Sequence, residues 1–273
     1  MKRTCYLFTV IFFLYSCNAP RYVYSPSLTH SPMFTHAGEG NAVATVSSNS
    51  VGNGVGINLA AGYSPVKHVG AGVQYYSTND NNKGYDDGIG GRPPQISLRY
   101  NRSMAQAQVF FYTPMGEQEK VFAELGLGGG AGKYKINDTQ TDTLNGTVRN
   151  FYLRAGARHL TMHGAVYGLL DKKGLSRAGV SLRVNNVRFN NINTTYTAAQ
   201  LNAYRLDSLT FQSITFLEPA LTAQFGFPSL PGLIVFAQAG LSFKMNGPLF
   251  DNRNSHISIG AGYRLGRKKK NTE

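Results

Sequence analysis

The chain has no tryptophan, only two cysteines, and 14 acidic side chains among 273 residues. Two cysteines allow at most one disulfide, and none survives if a leader containing Cys5 is removed and Cys17 is modified. Charge is sparse at 15%, whereas glycine, tyrosine and phenylalanine are plentiful at 31, 16 and 16 residues. That mixture suits glycine-rich, aromatic strands better than a helical enzyme. After the first sixteen positions no run of 18 or more apolar residues occurs, which excludes a membrane-spanning helix. The formal charge is +13, but the one dense basic run is Arg267 to Lys270, in the tail. Without a basic helix or an RNA-binding aromatic motif, nucleic acid is not an expected partner.

The first residues are more informative. Lys2 and Arg3 precede an apolar stretch from Tyr6 to Tyr15, too short to cross a bilayer but the right length for the core of a secretory signal. "LYSC", Leu14 to Cys17, resembles the lipobox of bacterial lipoproteins, with Tyr15 as its one departure. The resemblance implies cleavage before Cys17 and acylation of its thiol. Cleavage after Ala19 is disfavoured by Pro20. Residues 1–16 are therefore read as a signal peptide and 17–39, rich in Pro, Ser, Thr and Tyr, as a lipid-anchored extended linker.

From Gly40 onward, period-2 alternation dominates. Strands are expected over 40–48, 54–63, 66–77, 95–113, 119–135, 147–159, 175–189, 210–226, 232–245 and from Ile257 to the tail. Two phase changes stand out. Ile96, Leu98 and Tyr100 give way to Ala105, Ala107, Val109 and Phe111 on the other parity, which predicts a bulge or break near Arg102 to Met104; a similar shift falls at Asn185 and Asn186. Long polar connections (77–94, 137–146, 191–209, 246–254) would share one rim and short turns the other, the stretch 160–174 being too long for a turn. The expected fold is all-β: a closed antiparallel up-and-down transmembrane β-barrel of about ten strands over 40–267, with eight or twelve as alternative counts and 268–273 as a basic periplasmic tail.

These features resemble the small outer-membrane β-barrel proteins of Gram-negative bacteria, with a lipoprotein-type signal added. The resemblance implies an outer-membrane location, lipid as the surrounding partner and both termini in the periplasm. Tyr63, Tyr75, Tyr100 and Tyr263 would form an interfacial girdle. The face opposite the apolar one carries Glu124, Arg154, Arg158, Arg177, Arg183, Glu218 and Arg264, read as an ionic network filling the lumen. The expected function is a non-catalytic structural or surface-interaction role with a polar plug, the long loops offering a surface for an extracellular ligand. A narrow anion-selective pore is the first alternative, because arginine outnumbers glutamate on that face. A barrel-borne lipid or peptide hydrolase using His256, Ser258 and Glu218 is the second.

Other motifs fail on chemistry. "GLGLGGGAGK" lacks the first glycine of a phosphate loop, and Tyr134 stands where Ser or Thr would hold magnesium. His159 and His163 have no third ligand, and the loop with Asp80, Asp86 and Asp87 lacks calcium-site spacing. No metal or cofactor is expected.

Overall fold

The computed structural model describes residues 21, 24–49, 54–85, 94–210, 213–247 and 252–266. Residues 1–20, with the signal stretch and Cys17, and the tail 267–273 lie outside the described residues. The strands are β1 (Gly40–Asn49), β2 (Val55–Val66), β3 (Val69–Tyr85), β4 (Gln95–Met115), β5 (Val121–Thr141), β6 (Val148–Leu169), β7 (Arg177–Thr194), β8 (Ile214–Phe227), β9 (Leu230–Leu241), β10 (Phe243–Lys244) and β11 (Ser255–Leu265). Each pairs antiparallel with its neighbours, β9 with β8 and β11, and β1 with β2 and β11, so the sheet closes on itself. β10 continues β9 past Ser242 along the same partner, β8. The barrel therefore has ten staves, and closure leaves no unpaired sheet edge.

The short connections are tight for identifiable reasons. Lys67 and His68 alone join β2 to β3, with His68 at φ 69°. The stretch that was too long for a turn is mostly strand, since β6 runs to Leu169 and leaves only 170–176 as connection. There the Asp171 carboxylate accepts from the N–H groups of Lys173 (2.8 Å), Leu175 (3.0 Å) and Ser176 (2.6 Å). Burial would raise its pKa, but these donors outweigh that and hold it below the ordinary aspartate range. No additional hairpin is present there, so the count of twelve falls away.

At the other rim the connection between β7 and β8 carries a helix, α1 (Ala198–Ala203), whose entry is fixed by a capping box between Thr197 and Gln200. Among the described residues no helix is long and apolar enough to cross a membrane, which says nothing about strands.

β4, β5 and β6 have 21, 21 and 22 residues. A tilted strand needs only about 9–11 to cross a bilayer core, so the wall has two storeys. In the lower one, toward the short turns, the outside is apolar: Ile57, Leu59, Val73, Val109, Leu125 and Leu182 are all exposed. The inside is largely polar, with Asn58, Gln74, Gln106, Gln108, Glu124 and Arg183 buried, apart from a ring cluster of Phe110, Tyr112, Phe122 and Tyr167. In the upper storey the sense inverts. Ile96, Leu98, Tyr100, Ile136, Leu153, Val187 and Phe189 form an interior cluster, while Arg99, Lys133, Arg154, Arg158 and Arg188 face out.

This inversion accounts for both expected phase changes, neither of which is a register fault. β4 alternates without interruption from Gln95 to Thr113, and β4 pairs with β5 in one register throughout. The chemistry changes face because the wall passes beyond the apolar belt. The same cause corrects three placements. Leu153 is 0% exposed inside the barrel, Tyr100 is interior and no part of a girdle, and Arg154 and Arg158 lie on the outside rather than in the lumen.

Candidate functional site

The lumen contains a chain segment. Residues 24–34 are buried throughout, and hydrogen bonds reach them from β1, β3, β6, β7, β8 and β9, that is, from around the whole wall. The described part of the stretch read as a linker runs through the barrel, its backbone turning through a left-handed conformation at Met33 (φ 55°). Ten residue steps from Tyr24 to Phe34 at about 3.3 Å each reach at most about 33 Å, on the order of a bilayer core. Bare wall positions leave room for rings: a Cβ on Gly70 would run into the Phe34 ring, and one on Gly126 into that of His163.

At the long-loop mouth, Arg21 pairs with Asp138 at 3.0 Å and lies over the Tyr204 ring, 3.5 Å from its centroid. Tyr196 and Gln140 also donate to Asp138, so the connection bearing α1 and the segment meet on one carboxylate. Below it, Tyr24 stacks on Phe216 at 3.8 Å, donates to Glu218 at 2.8 Å and accepts from Asn185 at 2.6 Å.

The middle section is held by the backbone. Arg183 donates to the Leu28 carbonyl (3.1 Å) and the Ser27 carbonyl (2.8 Å), and its Nε meets Glu218 at 2.7 Å. Gln74 donates to the Leu28 carbonyl at 2.9 Å. The Gln238 amide brackets Thr29, accepting from its N–H and donating to its carbonyl, both at 2.9 Å. Lower still, Asn41 donates to the Pro32 carbonyl, Arg177 to that of Met33 and Tyr167 to that of Phe34. Phe34 rests among Phe110 and Tyr112.

The segment leaves at the short-turn rim through a clasp. Glu39 accepts from the Thr35 N–H at 2.7 Å, pairs with Arg177 at 2.6 Å and has Arg264 at 3.6 Å. Burial alone would raise its pKa; Arg177, the Thr35 N–H, Arg264 and His36 more than offset this and hold the carboxyl below the ordinary glutamate range. Gly38 then bonds the Ser64 carbonyl and β1 begins. Arg21 thus lies at the long-loop mouth and Gly266, bonded to His36, at the opposite rim. The termini themselves, expected on the periplasmic side, lie outside the described residues.

Of the residues read as a luminal network, Arg183 and Glu218 form a direct pair. Arg177 and Arg264 converge on Glu39, a residue the sequence reading passed over. Glu124 meets His163 at 3.1 Å rather than an arginine. Arg154 lies 5.0 Å from the centroid of Tyr152, outside, and Arg158 is exposed. Glu218 bonds to Arg183, Tyr24 and Ser242, and His256 to Gln238, so His256, Ser258 and Glu218 do not form a proton relay. Among the described residues there is no cluster of three or more metal-ligating side chains. Gln74, Gln238, Asn41 and Tyr167 were missed. The available signal was the polar parity of their strands, together with Tyr24, Leu28, Met33 and Phe34, an apolar load that a solvated linker does not need.

No family model matches this chain, and no curated protein matches it in sequence. Among solved structures, the translocator domain of autotransporter NalP from Neisseria meningitidis aligns with 84% of this chain and 89% of its own, at 12% identity and a TM-score of 0.47. A bacterial polysaccharide outer membrane secretin aligns over 86% and 99%, at 8% identity and a TM-score of 0.27.

Proposed function

We propose that this chain is an integral outer-membrane β-barrel with a structural or surface-interaction role and no catalysis, its lumen closed by its own residues 24–34. The apolar outer belt fits hydrocarbon, and a closed wall is one of the two ways a backbone can satisfy its polar groups there. With the longer connections facing outward, Arg21 and α1 lie at the extracellular mouth and the Glu39 clasp at the periplasmic rim.

The observation that carries this reading is the bonding of one buried segment from opposite sides of the wall. It also weighs against an open anion pore, since the Arg183 guanidinium is engaged by Glu218 and two carbonyls. The full chain reconstituted in planar bilayers is expected to show negligible conductance. Steady currents, anion-selective ones above all, would overturn the closed lumen.

A further inference from the structure

We infer that the lumen is a binding site for extended polypeptide, read through the backbone, and that a peptide supplied in trans can take the place of residues 24–34. This deepens the closed-lumen reading and rests on it. Peptide groups taken out of water need partners, and here the wall supplies them: Arg183, Gln74, Gln238, Asn41, Arg177 and Tyr167 all bond main-chain atoms of the segment. The segment's own polar side chains are treated differently. No protein group hydrogen-bonds the hydroxyls of Ser25, Ser27, Thr29 and Ser31 or either ring nitrogen of His30, although all are buried.

Side chains are sorted elsewhere. Tyr24 has its stacking partner Phe216, Leu28 packs with Val43 and Phe236, and Met33 and Phe34 enter a cluster with Phe110 and Tyr112. The ligand class is therefore an uncharged extended peptide with an aromatic residue at each end, ten positions apart, and an aliphatic one between. Ser25, Ser27, Thr29 and Ser31 between them are free to vary, whereas the His30 ring keeps an edge contact with Phe110. Arg183, which bonds the middle of the segment, is already paired with Glu218, which suits a neutral peptide.

The test starts from the full chain carrying a protease site between Ala37 and Gly38, both exposed. After folding, the chain is cut there, and retained heat-modifiable migration shows that the wall is intact. Fluorescein-labelled peptides of sequence 24–37 are then exchanged in and followed by anisotropy. Three are compared: the native sequence, one with residues 25, 27, 29 and 31 permuted, and one N-methylated at Thr29. The permuted peptide should bind within fivefold of the native one. The N-methylated peptide, with all side chains kept, should bind about tenfold more weakly, as loss of one buried hydrogen bond requires. In a Gln238→Met barrel the native peptide should weaken and the N-methyl penalty should shrink. A permuted peptide weakened more than fivefold, an N-methyl group without effect, or no exchange at all would overturn the inference. The same permutation in the uncut chain should leave its urea midpoint unchanged, and a lowered midpoint also counts against it. Bilayer recordings on the uncut chain separate the two readings: steady current sinks the closed lumen, whereas silence combined with failed exchange sinks only the peptide site.

Discussion

Replacing Arg183 by methionine unties the middle of the luminal segment from the wall. The guanidinium is almost fully buried and makes three bonds, to Glu218 at 2.7 Å and to the Ser27 and Leu28 carbonyls at 2.8 and 3.1 Å. Breaking a buried ion pair by removing one partner costs about 3–5 kcal/mol. Stranding the Ser27 carbonyl adds about 1–3 kcal/mol, while Leu28 keeps its bond from Gln74. The two terms share desolvation, so the expected loss is about 4–6 kcal/mol. The double variant Arg183→Met, Glu218→Gln removes the stranded charge and keeps an oxygen for Tyr24 and Ser242 but leaves the Ser27 carbonyl stranded, and should recover part of the single variant's loss. Urea unfolding in detergent, followed by heat-modifiable migration, gives the midpoints. Maleimide labelling of a Ser27→Cys background reports the segment itself, shielded with arginine present and labelled once it is gone. A loss below about 1 kcal/mol in the single variant, or unchanged shielding, would refute the claim that Arg183 ties the segment to the wall.

Two further outcomes follow from the belt and the clasp. Leu182→Arg, placing charge on the apolar exterior where Leu182 is 47% exposed, should cost about 2–4 kcal/mol in liposomes, whereas Ser97→Arg in the upper storey should be near neutral; equal costs would dissolve the two-storey division. For Glu39, whose carboxyl is held low, the stabilisation is present above the ordinary glutamate pKa and is lost as pH falls through the depressed folded value. Shielding of a cysteine at Met33 should therefore persist through the ordinary glutamate range and fail only at lower pH, and Glu39→Gln should remove this acid step; release already in the ordinary range would contradict the clasp.

The staves were legible because a two-residue period is local and every expected strand has a counterpart. Strand ends and side-chain direction were less so. The parity rule assumed one solvent outside and another inside along the full strand, and fails at Tyr100, Leu153, Arg154 and Arg158, where the wall outlasts the apolar belt. For the lumen, Arg183 and Glu218 could be placed on the polar face, but their pairing depends on register between strands, set by Arg183 standing opposite Glu218 across β7 and β8. The segment left no periodic mark, because a chain bonded through its main-chain atoms places little demand on the order of its side chains.

A cylinder sealed by hydrogen bonds all the way around has no side entrance. Because residues 24–34 run inside it from one mouth to the other and continue directly into β1, assembly has only two routes. Either the last seam zips up with this strand already laid along the interior, or the leading end is drawn in afterwards through an opening already narrowed by aromatic rings. The order in which the molecule is built is thus written into its topology, and the piece synthesised before any stave ends up as the axle about which the staves are set.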